Sequence, residues 1–167
     1  MLPVVTVSSL AQQAPTESQV KAAYLYNFGK FVRWQNDRTP GPNALEICVL
    51  GKDPFGGVLD KTVAGESVDG RPITVKRVAK VQEAAPCSIL FVSSSEEGRL
   101  GSVLASAQPL SVLTISDMPH FAEKGGMIGF VKQEDKIRFE VNRKAAEQSH
   151  LVLSSELLKV AVKVVGN

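Results

Sequence analysis

Apolar and polar positions along this chain change period several times, and each change predicts an element. From Val20 to Trp34 the large apolar residues recur at helical spacing. Tyr24, Phe28 and Phe31 stand at i, i+4 and i+7, with Leu25 and Val32 beside them. That is one apolar stripe of a helix. Thr16 or Ser18 supplies its cap, and the run 35–43, with two prolines and Gly41, supplies its end. Leu45 to Leu50 reads as a buried strand. Gly51-Lys52-Asp53-Pro54 then opens a short helix, with Asp53 as N-cap and Pro54 in the first helical position. Residues 65–70 read as a loop, Pro72 to Val78 as an alternating strand, and Val81 to Ala85 as a short helix stopped by Pro86. Cys87 to Val92 (CSILFV) is continuously apolar, as in a strand covered on both faces. Ser94 with Glu97 matches a capping box for a helix to about Ala107. Leu110 to Ile115 is a third buried strand, ending at Ser116-Asp117.

Beyond that point the pattern changes. Gly126 to Val131 and Lys136 to Val141 flank a polar turn (Gln133, Glu134, Asp135), which predicts a β-hairpin. Asn142 caps a short helix to about Ser149, and Ser154 or Ser155 caps a last one ending near Val164. Strands alternating with helices, then a hairpin, predict an α/β fold. The expected form is a three-layer α/β/α domain over 17–167, with a mostly parallel sheet and a C-terminal antiparallel hairpin at its edge.

Composition narrows the class. Hydrophobic residues make up 44% of the 167 and charged residues 22%, which suits a globular chain rather than a disordered one. The 19 basic and 17 acidic residues are intermixed without a basic stripe, so nucleic-acid binding has no electrostatic support. No later apolar run approaches the roughly 20 residues of a bilayer span, so the mature chain is expected to be soluble. Residues 1–14 (MLPVVTVSSLAQQA) carry no charged side chain. They read as the remnant of a signal peptide, or as a disordered N-terminus.

The chemistry-bearing residues are few. Cys48 and Cys87 permit one disulfide in an exported chain, closing a loop worth about 4 kcal/mol. The other reading is two buried thiols. With His120 and His150 far away in sequence, the paired short spacings of structural zinc are missing, so neither a metal nor a cofactor is expected. Glu96 and Glu97 diverge by about 100° on a helix and do not face each other. No serine lies in a GxSxG elbow, and no enzyme is expected.

Candidate contacts fall in three groups. Gly51, Asp53, Ser93, Ser95 and Asp117 mark the carboxyl ends of predicted strands, where open α/β sheets bind ligands. The same residues also suit tight turns and helix caps, and neither a GxGxxG fingerprint nor a P-loop is present. Arg138 and Glu140, with Asn142, share one face of a strand: a contact surface, or a plain polar edge. Tyr26, beside Lys30 and Arg33, lies off the main stripe of the first helix, with Trp34 at its end. These aromatics serve either partner recognition or the core.

The blocks KAAYLYNFGKFVRW, ICVLGKDPFG, VDGRPITVKRV, CSILFVSSSE, GGMIGFV and IRFEVN occur in this order over about 20–160. Together they resemble the YfiR/HmsC-like family of periplasmic regulators. The resemblance implies periplasmic residence and a Cys48–Cys87 disulfide; a second cysteine pair carried by some members is missing here. It also implies a repressor of an inner-membrane diguanylate cyclase, acting on the cyclase's periplasmic sensor domain and thereby on cyclic di-GMP and biofilm formation. An outer-membrane lipoprotein with a peptidoglycan-binding domain would sequester such a regulator, and homodimers fit the pattern. The competing reading is a periplasmic small-ligand-binding sensor for another envelope signalling system, using the strand ends near Gly51, Ser93 and Asp117.

Overall fold

A computed structural model describes residues 2–3, 14–35 and 44–166. The segment read as a leader remnant therefore falls largely outside the described residues. So does most of the run 35–43.

Helix α1 spans Glu17–Phe28 and begins with a capping box. The Thr16 hydroxyl accepts from the Gln19 amide at 3.2 Å, and the Gln19 side chain accepts from the Thr16 amide at 2.8 Å. The helix stops well short of Trp34, contrary to the sequence expectation. Val32–Trp34 is instead a strand, β1, paired antiparallel with β9 (Leu151–Leu153). β-Branched and aromatic residues suit a pleated surface, and a partner strand distant in sequence overrides the local helical period.

β2 (Leu45–Leu50) lies where the apolar run predicts it. The helix after it does not: α2 is Gly57–Val63, and Asp53 caps no helix. Its carboxylate instead accepts from the Phe55 amide at 2.8 Å, an Asx turn that uses up the capping oxygen. β3 (Ser67–Val68) emerges inside the expected loop and pairs antiparallel with β4 (Arg71–Val78). A 3₁₀ turn over Val81–Ala84 leads to β5 (Ile89–Val92). Ser93, not Ser94, is the next cap, and a 3₁₀ turn (Ser94–Arg99) precedes α3 (Leu100–Ala107). β6 (Leu113–Ser116) starts later than predicted because Gln108–Leu110 forms a 3₁₀ turn and Ser111 is left-handed at φ 53°.

The hairpin of β7 (Ile128–Gln133) and β8 (Lys136–Asn142) forms as expected. Glu134 and Asp135 both have positive φ, as a tight primed turn requires. Asn142 caps α4 (Arg143–Gln148) through the Ala145 amide at 2.9 Å, and Ser154 caps α5 (Ser155–Val160) through the Leu157 amide at 3.2 Å. The chain then leaves the helix early. Lys163–Val165 is β10, parallel to β8, so the hairpin is not the sheet edge that the sequence predicts. A hairpin leaves one side of β8 with unpaired backbone groups, and β10 satisfies them.

The main sheet runs β10-β8-β7-β6-β5-β2-β4-β3, with β4, β2, β5, β6 and β7 mutually parallel. Alternation along each strand builds a core on either face. Ile47, Val49, Ile89 and Phe91 pack with Leu25 and Phe28 of α1, Leu59 of α2 and Leu157 of α5. Cys48, Leu50, Leu90 and Val92 pack with Leu100 and Val103 of α3. The result is the layered α/β arrangement with a mostly parallel sheet, plus the separate β1–β9 pair.

Candidate functional site

Gly51, Ser93 and Ser95 converge between β2 and β5, where the chain's crossover direction reverses. Open α/β sheets leave a ligand crevice at such a point. Here the polar groups are spent on one another. Ser95 Oγ accepts from the Lys52 amide at 3.0 Å, and Ser93 Oγ accepts from the Ser95 amide at 3.3 Å. Glu96 is buried against Gly51 and pairs with Arg99. The first turns of α1 reach the same end of the sheet. Ser18 donates to the Pro54 carbonyl at 3.4 Å, and Lys21 Nζ lies 2.9 Å from Asp117 Oδ2. Lys21 also pairs with Glu17 at 3.4 Å, and Lys21 above all, with Lys132, holds the Glu17 carboxyl below its ordinary range.

Asp53 stands apart from that cluster. It pairs with Arg77 Nε at 3.1 Å, and the same guanidinium clasps both oxygens of Asp60 (2.8 and 2.6 Å) and the Gly56 carbonyl (2.7 Å). The Asp60 and then Asp53 carboxylates hold the Arg77 proton more firmly than in a free side chain, and Asp60 is correspondingly more acidic. This fork fastens the β2–α2 connection to β4.

Tyr26 donates its hydroxyl to Glu66 at 3.1 Å, with Lys30 Nζ 4.2 Å above its ring. Trp34 packs partly buried against the first core, and its indole N–H has no partner among the described residues. Arg138 is exposed and Glu140 half-buried on β8, where Lys163 of β10 stands opposite Glu140. Cys48 and Cys87 are joined in a disulfide on the α3 side of the sheet.

A different surface offers open apolar area. Between α1, β8 and α5 lies a groove of about 490 Å³. Tyr24, Phe28 and Phe31 form one wall, Phe139 the floor, and Leu157 with Val160 the other wall; Asn27 and Glu156 stand at its rim. Tyr24, Phe28, Phe130 and Phe139 pack ring against ring with centroids 5.0–6.0 Å apart, in stacked, tilted and edge-on pairs. The Tyr24 hydroxyl is held by the Ile137 carbonyl at 3.1 Å. Val160 is 62% exposed, although it belongs to the apolar side of α5. The sequence reads Tyr24, Phe28 and Phe31 as one apolar stripe; the structure buries Phe28 and leaves Tyr24 and Phe31 partly covered. Only Tyr24 and Phe28 stand on α1; Phe31 follows its end, so the stripe is shared between the helix and the segment that leads into β1.

No curated protein sequence matches the chain at a significant level. Solved structures share its fold at low identity. A conserved domain protein from Vibrio cholerae O1 biovar eltor matches with a TM-score of 0.60 and 11% identity over 89% of this chain. The ABC domain in complex with L-Trp from Streptococcus pneumonia matches with a TM-score of 0.57 and 14% identity over 86%. The chain spans 60% of the length of each of these proteins. The family model described as YfiR/HmsC-like matches residues 18–162, which include both cysteines, the groove and the hairpin. The chain therefore belongs to the YfiR/HmsC-like family, a family of periplasmic regulators rather than catalysts.

Proposed function

We propose that this protein, exported to the periplasm, represses an inner-membrane diguanylate cyclase by engaging the cyclase's periplasmic sensor domain. Cyclic di-GMP and biofilm formation are the output. Family membership over residues 18–162 is the observation that carries this reading. The groove walled by Tyr24, Phe31 and Val160 supports it, because an apolar surface with an aromatic floor suits a protein partner. No helix among the described residues is long and apolar enough to cross a membrane, in keeping with a regulator that acts on a membrane protein from outside the bilayer. An outer-membrane lipoprotein with a peptidoglycan-binding domain would compete for the regulator, and a homodimer is its proposed resting form.

The test is cellular cyclic di-GMP with and without the gene. A rise on deletion that disappears when one membrane cyclase is also removed supports the reading and names the target. Complementation with Val160→Glu adds the groove: Val160 is exposed, so the variant folds, and it fails to restore repression if the groove is the contact. Unchanged cyclic di-GMP on deletion rejects the cyclase reading. The second reading, a small-ligand sensor, is favoured by the groove's size, which falls within the roughly 300–1,000 Å³ of ordinary ligand sites. Calorimetry against amino acids and nucleotides tests it, and absence of heat across the set removes it.

A further inference from the structure

Cysteines and histidines alone give this chain no metal site, but the fold brings a carboxylate to the sulfurs. Glu46 and Cys48 are two residues apart on β2, so their side chains leave the same face of the strand. Cys87 reaches that face from the turn before β5, with its Cα 6.0 Å from that of Cys48. Glu46 Oε1 then lies 3.9 Å from Cys48 Sγ and 3.8 Å from Cys87 Sγ. A disulfide sulfur carries no hydrogen, so neither contact is a hydrogen bond. A negative oxygen faces two sulfurs that bear lone pairs. Glu46 makes no ion pair among the described residues, and its other oxygen takes only the Thr74 hydroxyl at 3.2 Å. The three candidate ligand atoms lie within 4.8 Å of one another, the only such trio of His, Cys, Asp or Glu among the described residues.

We infer that reduction of the Cys48–Cys87 disulfide opens a site for one thiophilic divalent cation of the zinc class, held by both thiolates and the Glu46 carboxylate. Tetrahedral zinc, with bonds of about 2.3 Å to sulfur and about 2.0 Å to oxygen, sets its oxygen and sulfur ligands about 3.5 Å apart and its two sulfurs about 3.8 Å apart. The oxygen–sulfur separations here are already close to that. Only the sulfurs have to part, which cleavage of their bond allows. Thr74 orients the carboxylate as an outer-shell partner, and a water completes the fourth position. The reaction balances with an external dithiol. The dithiol passes two electrons and two protons to the S–S bond and becomes a disulfide itself. The two thiol protons then leave to solvent as the cation binds. In the oxidised form the sulfurs are joined and offer no thiolate, so the disulfide and the cation exclude each other.

The test uses the purified chain, oxidised or reduced with dithiothreitol and desalted without oxygen, with free thiols counted. Zinc is titrated in competition with a chromophoric chelator, and cobalt is added separately to read thiolate-to-metal charge transfer in the near ultraviolet. Far-ultraviolet circular dichroism monitors the fold throughout. The reduced chain is expected to bind one equivalent with a thiolate–cobalt band, the oxidised chain none, and reduced Glu46→Gln roughly tenfold or more weakly with its fold intact. Equal binding by oxidised and reduced chains overturns the inference, as does failure of the folded reduced chain to bind. Equal affinity of wild type and Glu46→Gln, or binding that appears only with loss of the folded spectrum, overturns it as well.

Discussion

Lys21 of α1 places its ammonium 2.9 Å from the Asp117 carboxylate at the carboxyl end of β6, across 96 residues of chain. Lys21 retains only 12% side-chain exposure and Asp117 22%. This pair, with the Ser18–Pro54 contact, fastens the first turns of the helix to the carboxyl end of the sheet. Its strength should lie between that of an exposed pair and a buried one. Lys21→Met, which leaves Asp117 uncompensated, is expected to cost roughly 1–3 kcal/mol. Asp117→Asn, which keeps a polar acceptor, should cost less. Equal denaturation midpoints for the two variants and the wild type would show that the tie is incidental.

Gly51 has φ 89°, and a Cβ there would stand 2.6 Å from Ser95 Oγ and 3.0 Å from Glu96 Cγ. Gly65 has a comparable φ of 76° but open space around its own Cβ position. Gly65→Ala therefore carries the backbone penalty alone, of order 1–2 kcal/mol. Gly51→Ala adds displacement of Ser95 and Glu96 and should melt at a clearly lower temperature. Identical melting temperatures would mean that the β2–β5 junction yields without cost.

The Arg77 fork predicts a pH dependence. Asp60 is more acidic in the folded chain than in the unfolded one, first because Arg77 hydrogen-bonds its carboxylate. A lowered folded value means that the unfolded state takes up the proton first as pH falls. The pair's stabilisation is thus present above the unfolded aspartate value of about 3.9 and is lost as pH drops through the lower folded value. The stability difference between wild type and Arg77→Met should shrink below about pH 4. Asp60 keeps 49% exposure, so solvent screening limits the Asp60 part to about 1 kcal/mol or less. A difference that is constant from neutral pH down to about pH 2 would contradict this.

The Cys48–Cys87 disulfide spans 39 residues and joins two core positions, with Cys48 fully buried. Its removal should cost about 4 kcal/mol by chain entropy. A domain of this size typically has 5–15 kcal/mol to lose, so the reduced chain should stay folded at room temperature and melt roughly ten degrees lower. Calorimetry with and without reductant reads this directly. Unchanged melting would show that the bond is not structural.

The elements that were legible in the sequence are those whose partners lie nearby or whose apolar run is unbroken. β2 matches its predicted span, and β4 and the β7–β8 hairpin lie within a residue or two of theirs. A continuous apolar run has nowhere to go but between two layers, and a polar turn between two alternating runs closes locally. Besides the two-residue β3, the missed elements are β1, β9 and β10, short strands of three residues each. Their existence depends on partners far along the chain: Val32 on Leu153, and Lys163 on Glu140. Three residues do not carry enough periodicity to outweigh a neighbouring helix pattern.

Candidate residues divided in the same way. Gly51, Ser93 and Ser95 were recognisable as strand-end residues and do converge, yet only the folded chain shows that they satisfy one another. The groove was half legible, as the Tyr24–Phe28–Phe31 stripe, because the opposite wall is α5, more than a hundred residues later. Glu46 looked like an ordinary strand residue until Cys87 arrived beside it. By itself the sequence determined the α/β class, the buried parallel strands and the family, since these rest on local periodicity and ordered motifs. Tertiary structure alone decided the sheet's edges, which strand ends are closed, which aromatic rings stay open, and which carboxylate meets the sulfurs. Each of those depends on contacts between segments that no local pattern encodes.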